Sequence, residues 1–447
     1  MTHSLPTRSR RRRALLAAVL ASIAPTICAL PAGAAPPQGS YEPHVEYRVD
    51  AAGDEADASI GDAVCRTTGG SCTLRAALQE AAVDHATSTI RFALLSSTKN
   101  MIRISTALPA IRYFAGPTII DGGRPLNFEG DWPMIELRGP GPNSRVNGLA
   151  ITSPGNTVRN LSIYNFRNQI RITNWSNRIE GNMIGTSRDG RFAASPLTIA
   201  DDTAGVLLDG DAANNVIDGN AISGNADIGV LVSGTASANS VLRNQVGLTP
   251  GGARPNGSHG VVLGASTRFN SVGRDRALGN AIAANRGSGV QVGGTLNRVA
   301  GNTIGIRLET GHVGAVTSGP QLVAPNSDTN VVVGPSAEAR ISENLMIGKP
   351  DGVVIGTQTD VPSNDSGITG PRVTSNEVGR VISDATGAAT DPTGATGVTV
   401  WQGSYVVLAY NAVRRQQIGF QIAERLPTPV TRIGNLLEDN ATNVVFR

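Results

Sequence analysis

The stretch from Asn214 to Gly247 is copied along the chain, and that repetition limits the fold more than any other feature. Asn215-Val216-Ile217-Asp218-Gly219-Asn220 returns as Asn239-Ser240-Val241-Leu242-Arg243-Asn244, a displacement of 24 residues that keeps asparagines and apolar pairs in step. A fixed period of this length marks a stacked array of small units. Each unit holds short β-branched runs such as Val230-Leu231-Val232, separated by Gly, Asn and Ser, the pattern of short strands joined by turns. A coil of three such strands that lands on the previous coil puts equivalent positions about 4.8 Å apart. The sequence therefore predicts an all-β chain, a single right-handed parallel β-helix or solenoid.

Asparagine at a coil corner reads as structural, because it tolerates the left-handed conformation a sharp corner needs and its amide can bond those above and below. The row runs Asn160, Asn182, Asn220, Asn244, Asn280, Asn302, Asn344, Asn376, Asn411 and Asn435, with spacings of 22, 38, 24, 36, 22, 42, 32, 35 and 24. Short spacings are one bare coil. Long ones are a coil with an inserted loop, or two coils with a degenerate intermediate. On this reading Asn256 falls in a loop, and Gly205, Gly229, Gly260, Gly289 and Gly352 are turn glycines entering buried strands. Aromatic content of 4% alongside 53 glycines suits a narrow aliphatic core with frequent turns. Two polar segments, Thr357 to Gly370 and Ser383 to Gly397, read as loops that could wall a groove, and Asn435 to Val445 is expected to close the far end.

Residues 1–34 have the form of a signal peptide: basic Arg8 and Arg10 to Arg13, apolar Ala14 to Ala24, and small Ala32-Gly33-Ala34. The expected address is periplasmic or extracellular, by either the general secretory or the twin-arginine route. No later run approaches the roughly 18 apolar residues of a membrane span. Without the five signal arginines, 33 basic face 35 acidic side chains, a net charge of −2. Nucleic acid is therefore not an expected partner, since phosphate binding needs concentrated positive charge. The chain is read as a monomer.

Cys65 and Cys72, seven apart in an exported chain, most simply make one disulfide. A metal site would need further ligands, and His85 has no partner at ligand spacing, so no metal is assigned. Leu74, Ala77, Leu78, Ala81 and Ala82 share one helical face, and a short amphipathic helix there would cap the open N-terminal end of the solenoid. Residues 35–89 are thus expected to form the cap and residues 90–447 the β-helix, with irregular first coils and a regular array from Leu149.

The acidic run Asp54-Glu55-Ala56-Asp57, Gly61-Asp62-Ala63-Val64-Cys65 and Gly70-Ser71-Cys72-Thr73-Leu74-Arg75-Ala76-Ala77-Leu78-Gln79-Glu80-Ala81 together resemble the CSLREA domain, over about Tyr47 to Phe92. Asp84 or His85 stands where that pattern usually has asparagine. The resemblance implies an exported bacterial right-handed parallel β-helix, similar to the pectin-lyase-like superfamily. It implies a fold and an address, and no activity. Asn182-Met183-Ile184-Gly185-Thr186, and Asn244-Gln245-Val246-Gly247 with Asn256, resemble the coil repeats that follow this domain.

Enzymes acting on polysaccharides supply two patterns to test. A hydrolase needs clustered acids to protonate a leaving group and activate water. Asp201, Asp202 and His259 are the candidate catalytic residues, but no Asn-Thr-Asp accompanies them. A lyase needs an Arg or Lys base opposite acids that hold calcium, the one cofactor this alternative would bring in. Asp201, Asp202, Asp209 and Asp211 are the densest acidic patch and Arg268, Arg274 and Arg276 the densest basic one, and the spacing does not force either together. His44, His85 and His312 are isolated. The reading leans to a non-catalytic binding or scaffold protein that engages an extracellular or envelope polysaccharide; a polysaccharide lyase or glycoside hydrolase is the alternative.

Overall fold

Three parallel sheets of 13, 12 and 11 strands lie side by side, each growing by at most one strand per coil, with the third starting at Leu149–Ile151. The structure is a computed structural model and describes residues 44–447 apart from 95–99, 113–115, 124–132, 193, 195–202, 250–251, 309–320, 324, 335–336, 347–350, 357–370, 379–395 and 403–404. The expected signal peptide and the Thr357 to Gly370 loop lie outside the described residues, as does Ser383 to Gly397 except for Thr396 and Gly397, which already belong to the strand Thr396–Val400. Pairing between successive coils is parallel and in register, so the chain is a parallel β-helix.

Register stacks like residues into continuous columns. In the first sheet the inward column is Tyr47, Ile90, Ile120, Val158, Ile179, Ile217, Val241, Val272, Val299, Ile341, Val373 and Leu408. All twelve are buried. Burying one such side chain contributes about 1.5–3 kcal/mol, and β-branched residues fit a strand packed on one face. The strand His44–Val49 is already a rung, paired to Thr87–Phe92, so the solenoid starts before the expected boundary at residue 90. The segment between these two strands carries the helix.

That helix, Leu74–Ala81, is the only α-helix among the described residues. Thr73 caps its N-terminus by accepting the Ala76 N–H at 3.1 Å, and Leu74, Ala77, Leu78 and Ala81 join the core. The polar residues of the motif hold the preceding loop. Arg75 grips Asp54 at 2.9 and 3.0 Å and donates to the Ala107 carbonyl at 2.8 Å. Glu80, fully buried, accepts the Gly61 and Ala63 N–H groups at 2.8 and 2.9 Å, and burial pushes its carboxyl above the usual carboxylate range despite those donors. Cys65 and Cys72 are joined by a disulfide within the same loop.

Asparagine rows occupy all three corners of the coil. Along Asn182, Asn220, Asn244, Asn280, Asn302, Asn344, Asn376, Asn411 and Asn435, each residue's backbone N–H and side-chain amide donate to the next one's Oδ1 at 2.8–3.1 Å. A second row joins Asn156, Asn177, Asn215, Asn239, Asn270 and Asn297, and a third joins Asn225, Asn256, Asn285 and Asn326. Asn256 is therefore a buried row member and not a loop residue.

Two further expectations are corrected. Asn160 is not in the row: the Asn182 Oδ1 accepts the Leu161 N–H at 3.0 Å, while the Asn160 amide turns to Asp121 at 2.8 Å. Its φ of 63° matches that of Gly181, which precedes Asn182, as Gly219 and Arg243 precede Asn220 and Asn244 at 65° and 51°. In this row the residue before each asparagine is left-handed, except Gly279 before Asn280. Gly205, Gly229, Gly260, Gly289 and Gly352 are not left-handed turns either. A Cβ on Gly260 would lie 2.5 Å from the Gly289 carbonyl oxygen, so these glycines let adjacent rungs approach.

The last rung, Thr431–Ile433, Leu436–Glu438 and Thr442–Phe446, is not closed over by a further segment of the described chain. Arg432 stands in the inward column directly after Leu408, and its guanidinium lies 5.5 Å from the Phe446 ring centre. A cation there covers the end of the core and discourages edge pairing.

Candidate functional site

The outer face of the third sheet departs most from repetition. Its outward register position reads Ala150, Arg171, Leu207, Leu231, Val262 and Gln291 on successive rungs. Leu207 and Leu231 pack with Ala204 and Ile228 into a small apolar cluster of their own, separate from the interior. They form a strip along the helix axis with about one rung spacing of 4.8 Å between neighbours.

An open groove of about 460 Å³ runs over this strip, lined by Arg145, Asn147, Arg167, Asn168, Arg171, Leu207, Asp209, Leu231 and Ser233. These residues come from four successive rungs, so the groove extends about 14 Å along the axis. Arg145 sits, exposed, at the end of a short 3-10 turn with φ 63° and lines the groove. Asn168 is fixed by donating to Asn147 at 2.9 Å and accepting the Ala204 N–H at 2.8 Å.

Arg171 and Asp209 form the groove's ion pair at 2.9 Å. Burial pushes the Asp209 carboxyl up, but the Arg171 guanidinium, the Gly210 N–H and the Ser233 hydroxyl outweigh it and hold the carboxyl below the usual range. The Arg171 Nε is buried without a hydrogen-bond partner among the described residues. Asp209 is the one carboxylate among the groove's lining residues, and it is ionised and paired. A glycosidase needs two carboxyl groups about 5–9.5 Å apart, one of them protonated, and the described residues lining this groove include one carboxylate.

His259 precedes the strand Val261–Leu263 of the same sheet, on the rung after that of Leu231. Its Nδ1 accepts the Ser288 N–H at 2.9 Å, and Gln291 lies 3.1 Å from its Nε2. Burial pulls its imidazole below the ordinary histidine range, against the opposing pull of Asp227 and Asp328. Those two acids are engaged, Asp227 with the Ser258 hydroxyl and Asp328 with the Ser288 hydroxyl at 2.9 Å. His259 is thus held as a neutral acceptor within a local network. Asp201 and Asp202 lie outside the described residues. Of the remaining acidic patch, Asp211 accepts from Thr235 at 2.5 Å. Arg268 belongs to a corner bridge with Ser237 and Thr295 and does not line the groove.

The groove residues were not legible as a site in the sequence. The one available signal was spacing: Arg171 and Asp209 are 38 apart, the same interval that separates Asn182 from Asn220 on the same pair of rungs.

The family described as "Periplasmic copper-binding protein (NosD)" matches residues 137–312, the part of the chain that holds the groove. No curated protein matches the chain in sequence. Solved structures similar to it include the periplasmic alginate epimerase AlgG, at 11% identity over 79% of this chain and 77% of that one, with a TM-score of 0.43. The A-module of the Azotobacter vinelandii mannuronan C-5 epimerase AlgE4 is 12% identical over 83% and 92%, with a TM-score of 0.41. The catalytic unit of a GH87 alpha-1,3-glucanase from Streptomyces thermodiastaticus strain HF3-3 is 14% identical over 86% and 67%, with a TM-score of 0.41. Such likenesses transfer no activity to this chain.

Copper binding can be tested on the donors present. Copper favours imidazole, thiolate and thioether ligands. Residues 137–312 hold no cysteine, one methionine, Met183, and two histidines, His259 and His312. Met183 is buried inside the coil, His259 is engaged as above, and His312 lies outside the described residues. This donor set does not fit a copper centre. Among the described residues, acidic oxygens converge within 4.8 Å only at Asp57, Asp62 and Glu80. That group lies in the helix-bearing segment, where Glu80 already serves two backbone donors.

Proposed function

We propose that this is an exported β-helix protein that binds an extended polysaccharide along the outer face of its third sheet and does not cleave it. The observation that carries the reading is the groove itself. It is open, spans four rungs, combines an apolar strip with polar and charged side chains, and contains one ionised carboxylate where hydrolysis needs two. The sequence-level signal peptide supports the exported address. Among the described residues no helix is long and apolar enough to cross a membrane.

The test is incubation of the protein without residues 1–34 with a panel of acidic and neutral polysaccharides, recording both retention and new chain ends. Retention with no new reducing ends and no unsaturated uronate is the expected result. New ends would move the protein into the enzyme class. If they vanished in an Asp201→Ala, Asp202→Ala double variant, those two acids would be the catalytic pair.

A further inference from the structure

Resting on that reading, we infer that the groove selects anionic sugars: an oxyanion held between Arg145 and Arg171, with the sugar's C–H face lying on Leu207 and Leu231. Arg145, Arg167 and Arg171 line the groove, with one carboxylate among the lining residues. That carboxylate, Asp209, binds the NH2 end of Arg171 at 2.9 Å and fixes the side chain in place. The Arg171 side chain lines the groove and stays 42% exposed beside that pair, so part of its guanidinium is open to a ligand although its Nε is buried. A guanidinium presents a planar fork suited to two-point binding of a carboxylate or sulfate, and such charge-assisted bonds are short and strong. Arg145, exposed on the neighbouring rung, lines the same groove.

The second element is the apolar strip. Leu207 and Leu231 sit on successive rungs beside the arginines and form the groove's apolar floor, 8% and 6% exposed, against which the C–H edge of a sugar ring can rest. A neutral sugar would touch that floor without gaining a charge-assisted bond, which is how such a site favours an anionic one. Carboxylated and sulfated glycans share the recognised chemistry.

The experiment is affinity electrophoresis of the protein in gels containing polygalacturonate, dextran sulfate, neutral dextran or single-stranded DNA, with melting temperatures measured on the same samples. Retardation by polygalacturonate or dextran sulfate and not by dextran is expected, and whichever retards more identifies the anion as carboxylate or sulfate. Arg145→Gln and Arg171→Gln should each weaken the retardation about tenfold, the size of one lost charge-assisted bond. Arg145→Lys should recover part of it. Equal retardation by dextran and polygalacturonate, unchanged in Arg145→Gln, would overturn the anionic selectivity and leave the glycan-binding reading standing. Retardation by none of the glycans would overturn both. Retardation by DNA equal to that by polygalacturonate would show an unselective polyanion surface and overturn the inference.

Discussion

The corner rows and the outer groove are built on the same rungs by opposite rules. In the rows one residue type returns on rung after rung and bonds its neighbours: the Asn220 amide, for example, donates up to Asn244 and down to the Ile179 carbonyl. On the groove's face a single register position holds Arg171, Leu207, Leu231, Val262 and Gln291 in turn, the first three lining the groove. Stacking selects what recurs. A residue that interrupts a column is selected by something else, and Arg432, ending a column of twelve apolar side chains, is a second case.

The contrast can be broken by substitution, and the largest effect should come from the close-packed glycines. Gly260→Ala puts a methyl group 2.5 Å from the Gly289 carbonyl and 2.8 Å from Ile282, so two rungs must separate. A loss of about 3 kcal/mol in denaturant unfolding is expected, at the upper end for overpacking. A loss below about 0.5 kcal/mol would mean the rungs are not tightly stacked there.

Next come the rows. Asn220→Ala and Asn256→Ala should each cost about 1–3 kcal/mol by stranding buried partners, and they should be similar because both sit in continuous rows. A cost for Asn256→Ala no larger than that of a surface substitution would return it to a loop.

Arg432→Leu tests the terminal interruption. Little change in unfolding free energy is expected, but the variant should associate with rising concentration in sedimentation or light scattering, since its last rung then offers an uncharged edge. A strictly monomeric variant would show that the cation does not guard the end.

The smallest effect concerns pH. Asp209 is held below its ordinary range, so its ion pair stabilises the folded state above the unfolded pKa and that contribution is lost as pH falls through the folded value. Asp209→Asn should therefore melt slightly below wild type at pH 7, by no more than about 1 kcal/mol for a partly exposed pair. The gap should close below about pH 3.9, as the pH drops past the folded pKa. A gap that widens in acid would contradict the pairing.

These same rules decide what the sequence could show. A period of 24 residues and β-branched runs expose stacking directly, because every rung repeats the same physical demand, and the fold class follows from that. The first corner's asparagines stand beside regular apolar pairs and can be tracked through insertions. At the second corner Asn215 and Asn239 are visible in the repeat itself, whereas the third corner's Asn225, Asn256, Asn285 and Asn326 follow Gly, Pro, Ala and Pro and precede no apolar pair, so their alignment needs the coil's three-dimensional register. Asn160 misleads because it sits one position early, at the left-handed residue. The groove was illegible for a deeper reason. Arg145, Arg171 and Leu231 are distant in sequence, each unremarkable alone, and they meet only when rungs stack.

The measurement that tests this division of labour most directly is polygalacturonate affinity and unfolding free energy on the same preparations of wild type, Asn220→Ala and Arg145→Gln, at a temperature where all three are folded. The account predicts opposite losses. Asn220→Ala gives up about 1–3 kcal/mol of stability and keeps its affinity, and Arg145→Gln keeps its stability and binds about tenfold more weakly. If both properties fell together in either variant, or if Arg145→Gln bound as well as wild type, the outer groove would not be the binding face.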